Sequence, residues 1–139
     1  MPVVQGKKMT KSIVYYQNSE KIIEAGSIET RMFIILEGEV NIILTDKIEK
    51  ITVAKLKKGD FFGEISLFTK NPRSATAIAV GNVKLAYIDN VEQLREFLVR
   101  NPVFAAKMVH TLAQRLAKTD EILVGKISEL NRIKITRDI

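Results

Sequence analysis

A chain of 139 residues suits one domain and leaves little room for a second. Hydrophobic content of 46% with 27% charged residues is ordinary for a soluble globular chain, and the lack of cysteine excludes disulfides and thiolate chemistry. The formal net charge of +6 favours anionic partners, but the lysines and arginines are spread along the chain, so the total does not by itself point to DNA.

Residues 1–12 read as an N-terminal arm, followed by one domain over 13–139. The arm carries lysines but no apolar run of signal-peptide length, and runs such as Met32–Leu36 are far too short to span a bilayer. A cytoplasmic protein with no membrane partner is expected. Ile13–Tyr16 (IVYY) is β-branched and aromatic, and Lys21–Glu24 follows as a second short strand closed by Ala25-Gly26-Ser27. Met32–Leu36 has strand length, and Glu37-Gly38-Glu39 reads as a turn. Val40–Leu44 and Ile48–Val53 form a predicted hairpin, and Lys57-Lys58-Gly59-Asp60 turns the chain into Phe61-Phe62.

Next comes Phe62–Thr76, FGEISLFTKNPRSAT, in which a glycine, a carboxylate, a guanidinium and hydroxyls crowd together inside an apolar, strand-rich chain. Gly63 lets the backbone turn with no Cβ in the way. Glu64-Ile65-Ser66-Leu67 has the composition of a short helical turn, whose first N–H groups lack partners within the turn and favour an anion. Arg73, after the Asn71-Pro72 turn, offers a planar fork suited to two phosphate oxygens. A carboxylate repels a bare phosphate but accepts well from sugar hydroxyls. Together these residues read as a cradle for one phosphate joined to one ribose.

Ala75–Val80 and Val83–Ile88 follow as strands around Gly81-Asn82, so that strands fill the chain to about residue 89. Many short strands with frequent turns suggest an antiparallel barrel or sandwich. Asp89 or Asn90 can cap a short helix over Val91–Val99. Asn101-Pro102 signals the start of a long helix, predicted to run to about Ile133, with the helical region spanning about 90–135. Along it Leu112, Leu116, Thr119, Leu123, Leu130 and Ile133 make a stripe close to a coiled-coil seam, which a parallel two-fold dimer would bury. The same stripe can instead cover the strands of its own chain. Gly125 weakens the helix near its middle and suggests a bend.

The segment FGEISL, a five-residue loop and RSAT resemble the phosphate-binding cassette of the cyclic nucleotide-binding domain family, the sensor domains of catabolite-activator-type regulators, protein kinase A regulatory subunits and nucleotide-gated channels. The resemblance extends from about Ile22 to about Ile133. It implies an α+β fold: an antiparallel, jelly-roll-like β-roll with a short helix in the cassette and a long C-terminal helix. Arg73 then grips the cyclic phosphate, helped by Ser74, Ala75 and the turn Gly63-Glu64-Ile65-Ser66, and Glu64 accepts from the ribose 2′-hydroxyl. Val53 aligns beside the base. Read by itself, the Thr119 hydroxyl can simply bond the backbone one turn earlier. Arg115–Asp120, however, resembles the central-helix segment of the catabolite-activator group, in which the residue matching Thr119 meets the adenine amino group. Asp120 stands where that group usually has a serine reaching the base in the other subunit. The implied ligand is cyclic AMP (cAMP); Ser74, at a position where guanine-selective members carry threonine, keeps cyclic GMP (cGMP) as the alternative.

The expectation is a sensor that signals to a partner protein or through a homodimer by movement of its C-terminal helix. Too few residues follow that helix for a helix-turn-helix, so DNA binding is not expected of this chain alone. An effector-less fragment of a DNA-binding regulator and an interaction module with an empty pocket remain as alternatives. Catalysis is not expected: metal-dependent enzymes on jelly rolls converge several histidines, and this chain has one, His110.

Overall fold

The computed structural model describes residues 12–45 and 48–138, with residues 133–138 given by their backbone alone. The expectations for the arm at 1–12, for part of the hairpin tip and for the Ile133 side chain therefore fall outside the described residues or at their margin. The chain divides into two compact units, one ending at Arg95 and the other starting at Glu96.

In the first unit the described strands are β1 (Ile13–Tyr16), β2 (Lys21–Ile23), β3 (Met32–Thr45), β4 (Lys50–Lys57), β5 (Phe61–Phe62) and β6 (Thr76–Ile88). They form one antiparallel six-stranded sheet in the order β1-β6-β3-β4, with β2 paired to β6 and β5 paired to β3. The sheet stays open rather than closing into a barrel, and the short helix α1 (Glu64–Thr69) connects β5 towards β6. This is the expected antiparallel roll with a helix in the cassette. Its core gathers Ile22, Ile23, Phe33, Ile35, Val40, Phe62, Val83 and Leu85. Phe33 and Phe62 stack with ring centroids 5.3 Å apart across the β3–β5 pairing.

Two expectations of turns are corrected. Glu37-Gly38-Glu39 lies inside β3, and Gly81-Asn82 lies inside β6, so each expected strand pair is one long strand. The β3–β6 register shifts between Ile35 and Glu37 and again between Glu37 and Glu39, as bulges do. Gly38 has φ +96°, and a Cβ there would sit 2.5 Å from the Asn82 carbonyl oxygen. Glycine thus lets two long strands bend against each other without leaving the ladder. A glycine between charged residues marks a bulge as well as it marks a turn, and the pairing partner decides between them. The expected β3–β4 hairpin is present, with Thr45 paired to Lys50.

The helix α2 spans Val91–Arg100. Asn90 is its cap: the Gln93 N–H donates to Asn90 Oδ1 at 2.9 Å, and Gln93 Oε1 accepts from the Asp89 N–H at 2.9 Å. The long helix α3 runs from Pro102 to Asp138, somewhat beyond the expected end. Gly125 lies within it without interrupting it. Phe97 and Phe104 pack edge to face at 5.3 Å in the second unit. Leu116, Leu123 and Leu130 are exposed on this single chain, at 64%, 56% and 65%.

Candidate functional site

The site is built by two stretches far apart in sequence. The first is the cassette. Gly63, at φ +87°, ends β5 and turns the chain into α1, where Glu64 and Ser66 are buried and Ile65 is exposed. A Cβ on Gly63 would lie 2.9 Å from the Arg31 carbonyl oxygen, 3.1 Å from Arg73 Nη1 and 3.3 Å from Ile23 Cδ1, so the backbone must be bare here. Lys70 closes α1 in the left-handed region at φ 63°, its N–H donating to the Ser66 carbonyl. Arg73 then re-enters the molecule and is 5% exposed.

The second stretch is the loop between β2 and β3. It is sewn to Arg73 by main-chain bonds on both sides: the Arg73 N–H donates to the Ser27 carbonyl at 2.8 Å, and the Gly26 N–H donates to the Arg73 carbonyl at 2.7 Å. The Ala25 N–H adds a bond to Thr76 Oγ1 at 3.1 Å. The loop then delivers Glu29, whose Oε1 and Oε2 lie 3.1 and 3.2 Å from Arg73 Nη2. Arg73 Nη1 donates to the Gly63 carbonyl at 2.9 Å, and Nη2 also donates to the Arg31 carbonyl. Nε of Arg73 is buried and has no hydrogen-bond partner among the described residues.

A buried guanidinium is tolerable when its charge is paired and its donors are satisfied. Here Glu29 pairs the charge, and the buried Nε is left without a partner among the described residues. A guanidinium N–H is a strong donor to an anion, and the bonds to Gly63, Glu29 and Arg31 hold this side chain in place. Sequence reasoning missed Glu29 and Arg31. Their only local signal is a charged pair two residues apart at the entry to an apolar strand, which is too common to single out.

The remaining expected residues divide by position. Gly63, Glu64, Ile65, Ser66, Arg73, Ser74 and Ala75 all belong to the cassette, with Ser74 exposed and Ala75 half-buried. Val53, on β4, is exposed and not a core valine. Thr119 and Asp120 lie on α3 and are exposed; the Thr119 hydroxyl donates to the Arg115 carbonyl one turn back at 2.9 Å. His110 is exposed on α3. Among the described residues no three of His, Cys, Asp and Glu gather as a metal site. None of the described helices is long and apolar enough to cross a membrane.

An open antiparallel roll holding a buried cation behind a glycine-led turn is the architecture of a small binding module. The chain belongs to the cyclic nucleotide-binding domain family, whose model matches residues 13–101. It is 39% identical over 75 residues to the cAMP-dependent protein kinase type II regulatory subunit of Drosophila melanogaster, a match covering 53% of this chain and 20% of that protein. Among solved structures it is similar to the catabolite activator protein of Thermus thermophilus, with a TM-score of 0.70 and 28% identity, over 81% of this chain and 53% of the other. It is also similar to the EAL enzyme Bd1971 in its cGMP-bound form, with a TM-score of 0.57 and 29% identity, over 75% of this chain and 27% of the other. The match thus spans about a fifth of the kinase subunit's length and about half of the activator's.

Proposed function

We propose that this chain is a cyclic nucleotide sensor module whose ligand is cyclic AMP. The observation that carries the reading is the buried Arg73 guanidinium with its unpartnered Nε, set behind the bare backbone of Gly63. The nucleotide's phosphate takes that donor. Glu64, buried at the start of α1, accepts from the ribose 2′-hydroxyl, and Ser66, Ser74 and Ala75 line the phosphate. Val53 and Ile65 flank the nucleotide, and the family resemblance supports Thr119 and Asp120 as the residues that select the base. The name of the Drosophila relative supports cyclic AMP, while the cGMP-bound neighbour keeps the guanine nucleotide as the comparison to run. The role is binding rather than turnover.

The output is movement of α3, passed to an effector protein or across a homodimer. Leu116, Leu123 and Leu130 recur every seven residues and are exposed, which supports a coiled-coil pairing of two copies. Calorimetric titration with cyclic AMP and cyclic GMP tests the reading. Tighter binding of cyclic AMP is expected, and heat from neither nucleotide would end the proposal. Hydrogen exchange along α3 with and without nucleotide tests the output, where unchanged protection counts against helix movement.

A further inference from the structure

The second arginine at the site has no place in the reading so far. The Arg31 guanidinium sits 4.7 Å from the centroid of Tyr87 and 5.3 Å from that of Phe33. Those two rings are cross-strand partners on β6 and β3, so the cation is clamped by the sheet itself. Its side chain remains 32% exposed, and from there Nε reaches to 3.4 Å from Glu29 Oε2. The Arg31 main-chain N–H donates to the same carboxylate oxygen. One carboxylate therefore serves two guanidiniums: Arg73 on the buried side and Arg31 on the solvent side.

That sharing meets a geometric conflict. The side-on pair of donors with which an arginine takes two oxygens of a phosphate is Nε together with one terminal nitrogen. Arg73 Nε is unpartnered, but Nη2 is held by Glu29 and by the Arg31 carbonyl. An anion that takes both donors must move the Glu29 carboxylate aside. A carboxylate left between an incoming phosphate and no cation is strongly disfavoured. Arg31 is the cation within reach.

We propose that Arg31 is a positioning residue for the phosphate site: it takes over the Glu29 carboxylate as an anion docks on Arg73. The inference rests on the cyclic nucleotide reading above and names the group that clears the grip for the ligand. Without Arg31's charge, Glu29 stays on Arg73 and competes with the phosphate. With Glu29 neutral, there is no competitor and Arg31 loses its part.

The test is a double-mutant cycle read by calorimetric titration with cyclic AMP, using wild type, Arg31→Met, Glu29→Gln and the pair. Arg31→Met is expected to weaken binding about tenfold, and the same change in the Glu29→Gln background to leave affinity within about twofold. Arg31→Lys, which keeps the charge, is expected to restore most of the affinity. A merely structural Arg31 would weaken binding equally in both backgrounds, and that result overturns the inference, as does an Arg31→Met variant that binds like wild type. If Arg31→Met does not fold, Arg31→Gln takes its place in the same cycle. Arg73→Ala separates the two claims: binding that survives it overturns the sensor reading and this inference together. Binding lost in Arg73→Ala but unaffected by Arg31 overturns this inference alone.

Discussion

The Arg73 guanidinium donates from Nη1 to the Gly63 carbonyl at 2.9 Å, across ten residues of chain. One side chain thus closes the loop that contains α1, and it does so from a buried position. Arg73→Ala removes the closure and the cation at once. It is expected to cost about 2–5 kcal/mol of nucleotide binding, the range for truncating one partner of a buried charge pair. Arg73→Lys should recover little, because a point charge cannot replace a planar fork. Titration with cyclic AMP, alongside circular dichroism for the fold, checks both.

Gly63→Ala is the complementary change. It forces an L-residue into φ +87° and brings a methyl to 2.9 Å from the Arg31 carbonyl oxygen, which is backbone and cannot swing away. A stability loss of about 1–3 kcal/mol is expected from the strained dihedral alone. Because the same methyl meets Arg73 Nη1 at 3.1 Å, nucleotide affinity should fall as well. Denaturant unfolding and titration on the same sample measure the two effects.

Asn90→Ala should separate stability from binding. The Asn90 side chain satisfies the Gln93 N–H at the start of α2 and lies outside the cassette. Its loss is expected to cost about 1 kcal/mol of stability with nucleotide affinity unchanged. Chemical denaturation against wild type reads the first, and calorimetry the second.

Tyr16 gives a pH dependence. Burial raises its phenol above the ordinary 10.0, and the nearby Arg31 charge opposes that shift without cancelling it. In the folded protein the proton is held to higher pH than in the unfolded chain. Its contribution is therefore complete below 10.0 and is lost as pH rises through the folded value above it. Wild type should lose more stability than Tyr16→Phe across that alkaline range in denaturant melts at successive pH values.

How much of this was legible in the residues depends on chain distance. Gly63, Glu64 and Arg73 stand close together, so one short window carries their joint meaning. Glu29 meets Arg73 across 44 residues, and neither its type nor its neighbours mark it as a partner. The helix starts were readable because their signals are local. Asn90 caps the residues that follow it, and Pro102 fits the first helical position, while the Asn101 side chain turns back to the Phe97 carbonyl. The long strands were not, because a bulge at Gly38 or Gly81 looks like a turn until its ladder partner is known. That α3 is a helix could also be read from spacing, since helix periodicity is local.

The main-chain stitching of Arg73 to Gly26 and Ser27 bears on how portable the motif is. A chimera receiving 62–76 alone would import the fork but leave behind the strip that orients it and the acid that neutralises it. Recipients would need 24–31 as well, so the smallest transplantable piece is a discontinuous pair of segments.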